Sequence, residues 1–93
     1  MKENFSYPLN MDWTTEEIIA VMEMWQLVEQ AYESRAAAED ILTQYRLFKT
    51  IVRSVGEERQ LGREFEELTG YSLYRVVKAA KKQQTGVLKK EAL

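Results

Sequence analysis

Cysteine and histidine are both absent from the 93 residues of this chain. Without cysteine there are no disulfides, no thiolate metal sites and no thiol nucleophile. Without histidine the commonest acid–base side chain and the commonest metal ligand are missing. Proline occurs once and glycine four times, too few for a Pro/Gly linker, and no internal repeat or low-complexity tract is present. No apolar run approaches the ~18–20 residues that a membrane helix needs, and the N-terminus lacks the basic-then-apolar pattern of a signal peptide. These absences predict a single cytoplasmic domain over 1–93 and argue against an enzyme.

What remains is a globular composition, 45% hydrophobic and 30% charged, with room for one modest core. The net charge of −2 conceals an uneven distribution. Residues 1–45 hold nine acidic and two basic side chains, whereas 46–93 hold six acidic and eleven basic ones.

The first thirteen residues predict an extended strap. Phe5, Tyr7, Leu9, Met11 and Trp13 alternate with mostly polar neighbours, and Pro8 removes a backbone donor and holds Tyr7 out of the helical region. The strap is read as lying across the helices with its apolar side inward; a strand pairing with a second chain is the alternative.

Four helices follow, at about 15–33, 38–52, 55–69 and 73–84. Thr14 with Glu17 forms a capping box, and Ile18, Val21, Met22, Trp25, Val28 and Tyr32 make one stripe. Ile41, Tyr45, Phe48 and Val52 line the second helix. Ser54 and Glu57 cap a third, which carries Leu61, Phe65 and Leu68 inward. In "EFEELTGYSLYRVVKAAKK", Glu64 to Lys82, Gly70 ends the third helix in the left-handed conformation, Tyr71 folds back toward Phe65 and toward Val76, and Ser72 caps the fourth helix. Leu73, Val77 and Ala80 then face the core. Residues 85–93 read as a frayed or disordered tail. The fold class is therefore all-α: a compact four-helix domain with an extended N-terminal strap.

The blocks "YPL", "WTTEEII", "VEQAYE", "QYRLFKTIV" and "REFEELTGYSLYRVVKAAK", across residues 4–82, resemble the YktA-like family of small uncharacterised proteins from low-GC Gram-positive bacteria. The chain departs from that pattern at Arg53, where a proline is common, and near Ser34 and Arg35, where a glycine is. The resemblance implies an all-helical cytoplasmic protein of unknown function, and it supplies no catalytic residue, ligand or partner.

Chemistry has few candidates. Glu16, Glu17, Glu23, Glu57, Glu58, Glu64, Glu66 and Glu67 could build an acid–base or di-metal site only if they faced inward. The Glu-x-x-His motifs of di-iron bundles cannot occur here, and Glu16, Glu17 and Glu57 already serve first turns. No phosphate loop, Walker lysine or nucleophile elbow is present. No catalytic residue, metal ligand, cofactor or small-molecule ligand is assigned.

One surface stands out: Tyr74, Arg75, Lys78, Lys81 and Lys82 on the fourth helix, with charge balance against the acidic helices as the mundane explanation. They are candidate contacts for an acidic protein partner or for a second copy of the chain. The alternative is nucleic acid, held by a helix-turn-helix-like pair whose second helix is basic. Glu66 counts against that alternative, since it stands where a small apolar residue normally lets the two helices cross closely. A membrane-surface role is weaker still, because Ala79 and Ala80 leave the apolar face without bulk. A further stripe, Met24, Leu27 and Ala31, together with the strap, offers more apolar surface than one core needs, unless a compact monomer buries it.

Overall fold

The computed structural model describes residues 7–93, so Phe5 and the first half of the strap lie outside the described residues. Four helices form: α1 (Thr15–Glu33), α2 (Ala38–Ile51), α3 (Val55–Thr69) and α4 (Leu73–Gln83). Their starts obey local chemistry. Thr14 accepts from the Glu17 amide at 3.1 Å while the Glu17 carboxylate accepts from the Thr14 amide at 2.9 Å, a complete capping box. Ser54 and Ser72 accept from the amides of Glu57 and Arg75 at 3.0 and 3.2 Å. Gly70 ends α3 at φ 81°, and a Cβ there would meet no atom within 4 Å, so the need for glycine is one of backbone conformation alone.

The core centres on Trp25. Its ring stacks on Phe65 with centroids 4.5 Å apart and meets the edge of Phe48 at 5.7 Å. Its indole N–H donates to the Pro8 carbonyl at 3.2 Å, which ties the strap to the bundle. Tyr7, Leu9 and Trp13 pack against the core, but Met11 is 84% exposed. The alternation ends before it because Asn10 closes a turn, its side chain accepting from the Asp12 amide and its carbonyl from the Trp13 amide.

The second α1 stripe offers no free surface: Met24 and Ala31 are fully buried and Leu27 packs against the core, because α1 is covered on more than one side. Leu68, expected inward, is 42% exposed.

Residues 85–93 are not a frayed tail. Val87–Leu88 (β2) pair antiparallel with Ala36–Ala37 (β1), Leu88 is fully buried, and a 3₁₀ turn at Lys90–Ala92 follows. The pairing serves α2 as well. Ala37, at the cap position of α2, makes no side-chain cap, and the Ala38 amide donates instead to the Gly86 carbonyl at 2.8 Å.

Tyr71 packs against the core cluster that holds Phe65 and Val76 and takes further partners on α1. It stacks on Tyr32 of α1 at 4.5 Å and donates to Glu33 at 2.8 Å. The bond that would have closed the α3 ending goes to a side chain: the Tyr71 amide donates to the Thr69 hydroxyl at 3.1 Å, which itself donates to the Phe65 carbonyl at 2.8 Å.

Candidate functional site

The short α3–α4 connection sets two helices side by side with the C-terminal half of α2 behind them. Between them lies a groove of ≈ 760 Å³. Helical spacing decides what lines it. Val55, Arg59, Gly62, Arg63 and Glu66 come from one face of α3, while Leu73, Tyr74, Val77, Lys78 and Lys81 come from one face of α4. Tyr45 and Lys49 of α2 close the far side, joined by Glu58 of α3. Gly62 leaves the floor open, since an added Cβ would touch only the Leu73 side chain, at 3.8 Å.

The five residues singled out on the fourth helix therefore divide. Tyr74, Lys78 and Lys81 line the groove; Arg75 and Lys82 are exposed but do not. Tyr74 is 70% exposed, with the Lys78 ammonium 5.7 Å from its ring centre.

The charge pattern of the groove is lopsided. Lys49, Arg59, Arg63, Lys78 and Lys81 face it against the carboxylates Glu58 and Glu66. Among the described residues, Lys49 has an ion-pair partner, Glu58 at 3.8 Å, whereas Arg59, Arg63, Lys78 and Lys81 of the groove pair with no carboxylate, and neither do Arg75 and Lys82. The carboxylates of the early helices, which could have answered the α4 cations, do not reach them.

Tyr45 organises one end. Its hydroxyl donates to Glu58 at 2.6 Å, and its ring stacks on Phe48 of the core with centroids 6.0 Å apart. The ammoniums of Lys49 and Lys81 stand 5.5 and 5.4 Å from its ring centre. Burial, then the hydrogen bond to Glu58 and that carboxylate's charge, hold the Tyr45 hydroxyl well above the usual tyrosine range. It is therefore a fixed neutral donor, with two cations gathered over one aromatic ring. Lys49, Arg59 and Arg63 were not singled out in the sequence, and Tyr45 was read only as a core position, because they belong to α2 and α3 and no local spacing joins them to the α4 cations.

A second, smaller cleft between α1 and α2 is polar and acidic, lined by Glu23, Gln26, Leu27, Gln30, Asp40, Thr43 and Gln44. Among the described residues no helix is long and apolar enough to cross a membrane.

A four-helix all-α domain with a strapped N-terminus and a basic, aromatic groove is the class that this architecture defines. A family model described as "Uncharacterised protein family (UPF0223)" matches residues 4–89, and the chain belongs to that family. The UPF0223 protein of Enterococcus faecalis is 54% identical over 87 residues, 94% of this chain and 95% of the relative. That of Streptococcus gordonii is 48% identical over 88 residues, 95% of this chain and 96% of the relative, and that of Streptococcus sanguinis is 46% identical over 86 residues, with 92% and 94% covered.

Proposed function

We propose that this chain is a non-catalytic module of the cytoplasm that docks an acidic, amphipathic helical segment of a protein in the groove between α3 and α4. The observation that carries this reading is the set of four groove cations without a carboxylate partner, arranged around Val55, Gly62, Leu73 and Val77. An apolar floor with a cationic rim suits a helix that presents an apolar stripe between acidic residues. Nucleic acid shares the attraction to cations, but the apolar floor at Val55, Leu73 and Val77 suits the apolar stripe of a helix rather than a phosphate backbone.

The test is a titration of the isotope-labelled protein with a designed helical peptide of glutamate and leucine, followed by amide shifts. Perturbations should centre on Tyr45, Gly62 and Val77. Lys78→Glu with Lys81→Glu should abolish them. Arg75→Glu with Lys82→Glu, an equal charge change outside the groove, should weaken binding only slightly. Equal losses from both pairs, absence of shifts with the peptide, or tighter binding of random duplex or single-stranded DNA would overturn the reading.

A further inference from the structure

One helix of this molecule has the chemistry that the groove requires. α1 contains five glutamates and no lysine or arginine. Its solvent face carries Glu16, Ile19, Glu23, Gln26 and Gln30, all exposed. Ile19, 49% exposed, falls three residues after Glu16 and four before Glu23, so it lies between the two carboxylates on one helical face. Neither glutamate has an ion-pair partner among the described residues. In the turn ahead of the helix, Met11 and Asp12, both exposed, add another apolar and acidic pair.

The acidic face and the basic groove share no residue: the first belongs to α1 and the turn before it, the second to α2, α3 and α4. Each surface has an apolar centre and carries the charge that the other lacks, and the two charge sets do not pair with each other among the described residues. Building on the docking reading above, we infer that the occupant of the groove is the exposed face of α1 from a second copy of this chain. Ile19 meets the floor near Val55 and Val77, and Glu16 and Glu23 face the unpaired cations of the rim.

Because the two surfaces differ, the contact is head-to-tail. Every copy added leaves one groove and one acidic face open, so association extends with concentration rather than stopping at a symmetric dimer. A helix face seated in one groove buries less than the ~1,600 Å² of a standard interface, which makes the contact weak and reversible. Its ionic part is screened as the Debye length falls below ~10 Å above 0.1 M salt.

Sedimentation velocity of the full chain tests this from micromolar to millimolar concentration at low and high salt. The mean mass of the parent should rise above the 10.9 kDa of the monomer with concentration and fall back with salt. The groove variant, Lys78→Glu with Lys81→Glu, and the face variant, Glu16→Lys with Glu23→Lys, should each be monomeric and helical by circular dichroism. An equimolar mixture of the two should associate again, because the groove variant keeps an intact α1 face and the face variant keeps an intact groove. Ile19→Asn with Glu23→Lys serves in place of the face variant if loss of Glu16 from the first turn unfolds α1. A parent that stays monomeric throughout, or a mixture that does not associate, overturns the inference. If the designed acidic peptide still binds the groove in that case, docking stands and only the identity of the occupant falls; if the peptide also fails, both fall.

Discussion

Tyr45 shows how one side chain can belong both to the core and to the candidate site. Its ring packs on Phe48, its hydroxyl is spent on Glu58, and its outer surface receives Lys49 and Lys81. Replacing it with phenylalanine keeps the ring and removes the hydrogen bond to a charged acceptor, which should cost about 1 kcal/mol near neutral pH, read by urea unfolding. The pH dependence is more diagnostic. An unfolded tyrosine ionises near 10.0 and the native Tyr45 well above it, so the folded state holds this proton more tightly. The stabilisation is fully present below pH 10.0 and is lost as the pH rises from there through the native value. Tyr45→Phe should therefore lose less stability than the parent between pH 10 and 12, and equal slopes for the two proteins would contradict the placement of this hydroxyl.

At the scale of elements, the C-terminal segment does the most that its sequence does not announce. "TGVLKKEAL" has too few apolar residues for a helix stripe, which is why it reads as a tail. Leu88 nonetheless fills a fully buried position in the core, and the Gly86 carbonyl receives the first amide of α2. The segment enters by a tight reversal: Gln84 holds a positive φ of 70° and the Thr85 amide donates to the Gln83 carbonyl at 2.8 Å. The side chain of Gln83 bonds the carbonyls of Thr85 and Val87, both at 2.8 Å. Leu88→Ala should cost roughly 2–5 kcal/mol and increase amide exchange at the N-terminus of α2. A stability loss below 1 kcal/mol would mean that the tail is not part of the core.

Across the whole molecule, one apolar cluster includes buried residues from all four helices and both short strands, from Val21 to Leu88. A chain of this size with one shared cluster should unfold in a single step. Tryptophan fluorescence, from Trp13 and from Trp25 stacked on Phe65, and far-ultraviolet circular dichroism should therefore give superimposable urea transitions. Separate midpoints would show that some element holds its structure apart from this cluster. The division of charge is also a property of the whole: α1 carries no cation, whereas the groove lined by α2, α3 and α4 carries five cations against two carboxylates. Folding leaves these two charge sets on separate elements instead of pairing them, and the docking and self-association readings both start from that separation.

The sequence alone determined the helices, the caps of α1, α3 and α4 and the left-handed glycine at Gly70, because each depends on residues within four positions of one another. Thr14 with Glu17, Ser54 with Glu57 and Ser72 with Arg75 are contacts of spacing three, and such spacing is visible in the chain. It also set Tyr74, Arg75, Lys78, Lys81 and Lys82 outside the buried stripe of α4, without separating the three that line the groove from Arg75 and Lys82, which do not. Tertiary structure decided the rest. Tyr71 found Tyr32, 39 positions away in the chain, because the α3–α4 turn lies against the end of α1, and no local rule selects among distant aromatic partners. Met24, Leu27 and Ala31 went inside because α1 is covered on more than one side, a matter of how many helices pack around it rather than of its own periodicity. The groove itself, with Tyr45, Lys49, Arg59 and Arg63 beside the α4 cations, arises where three helices meet, and whether a cation finds a carboxylate depends on distances that only the packed chain sets.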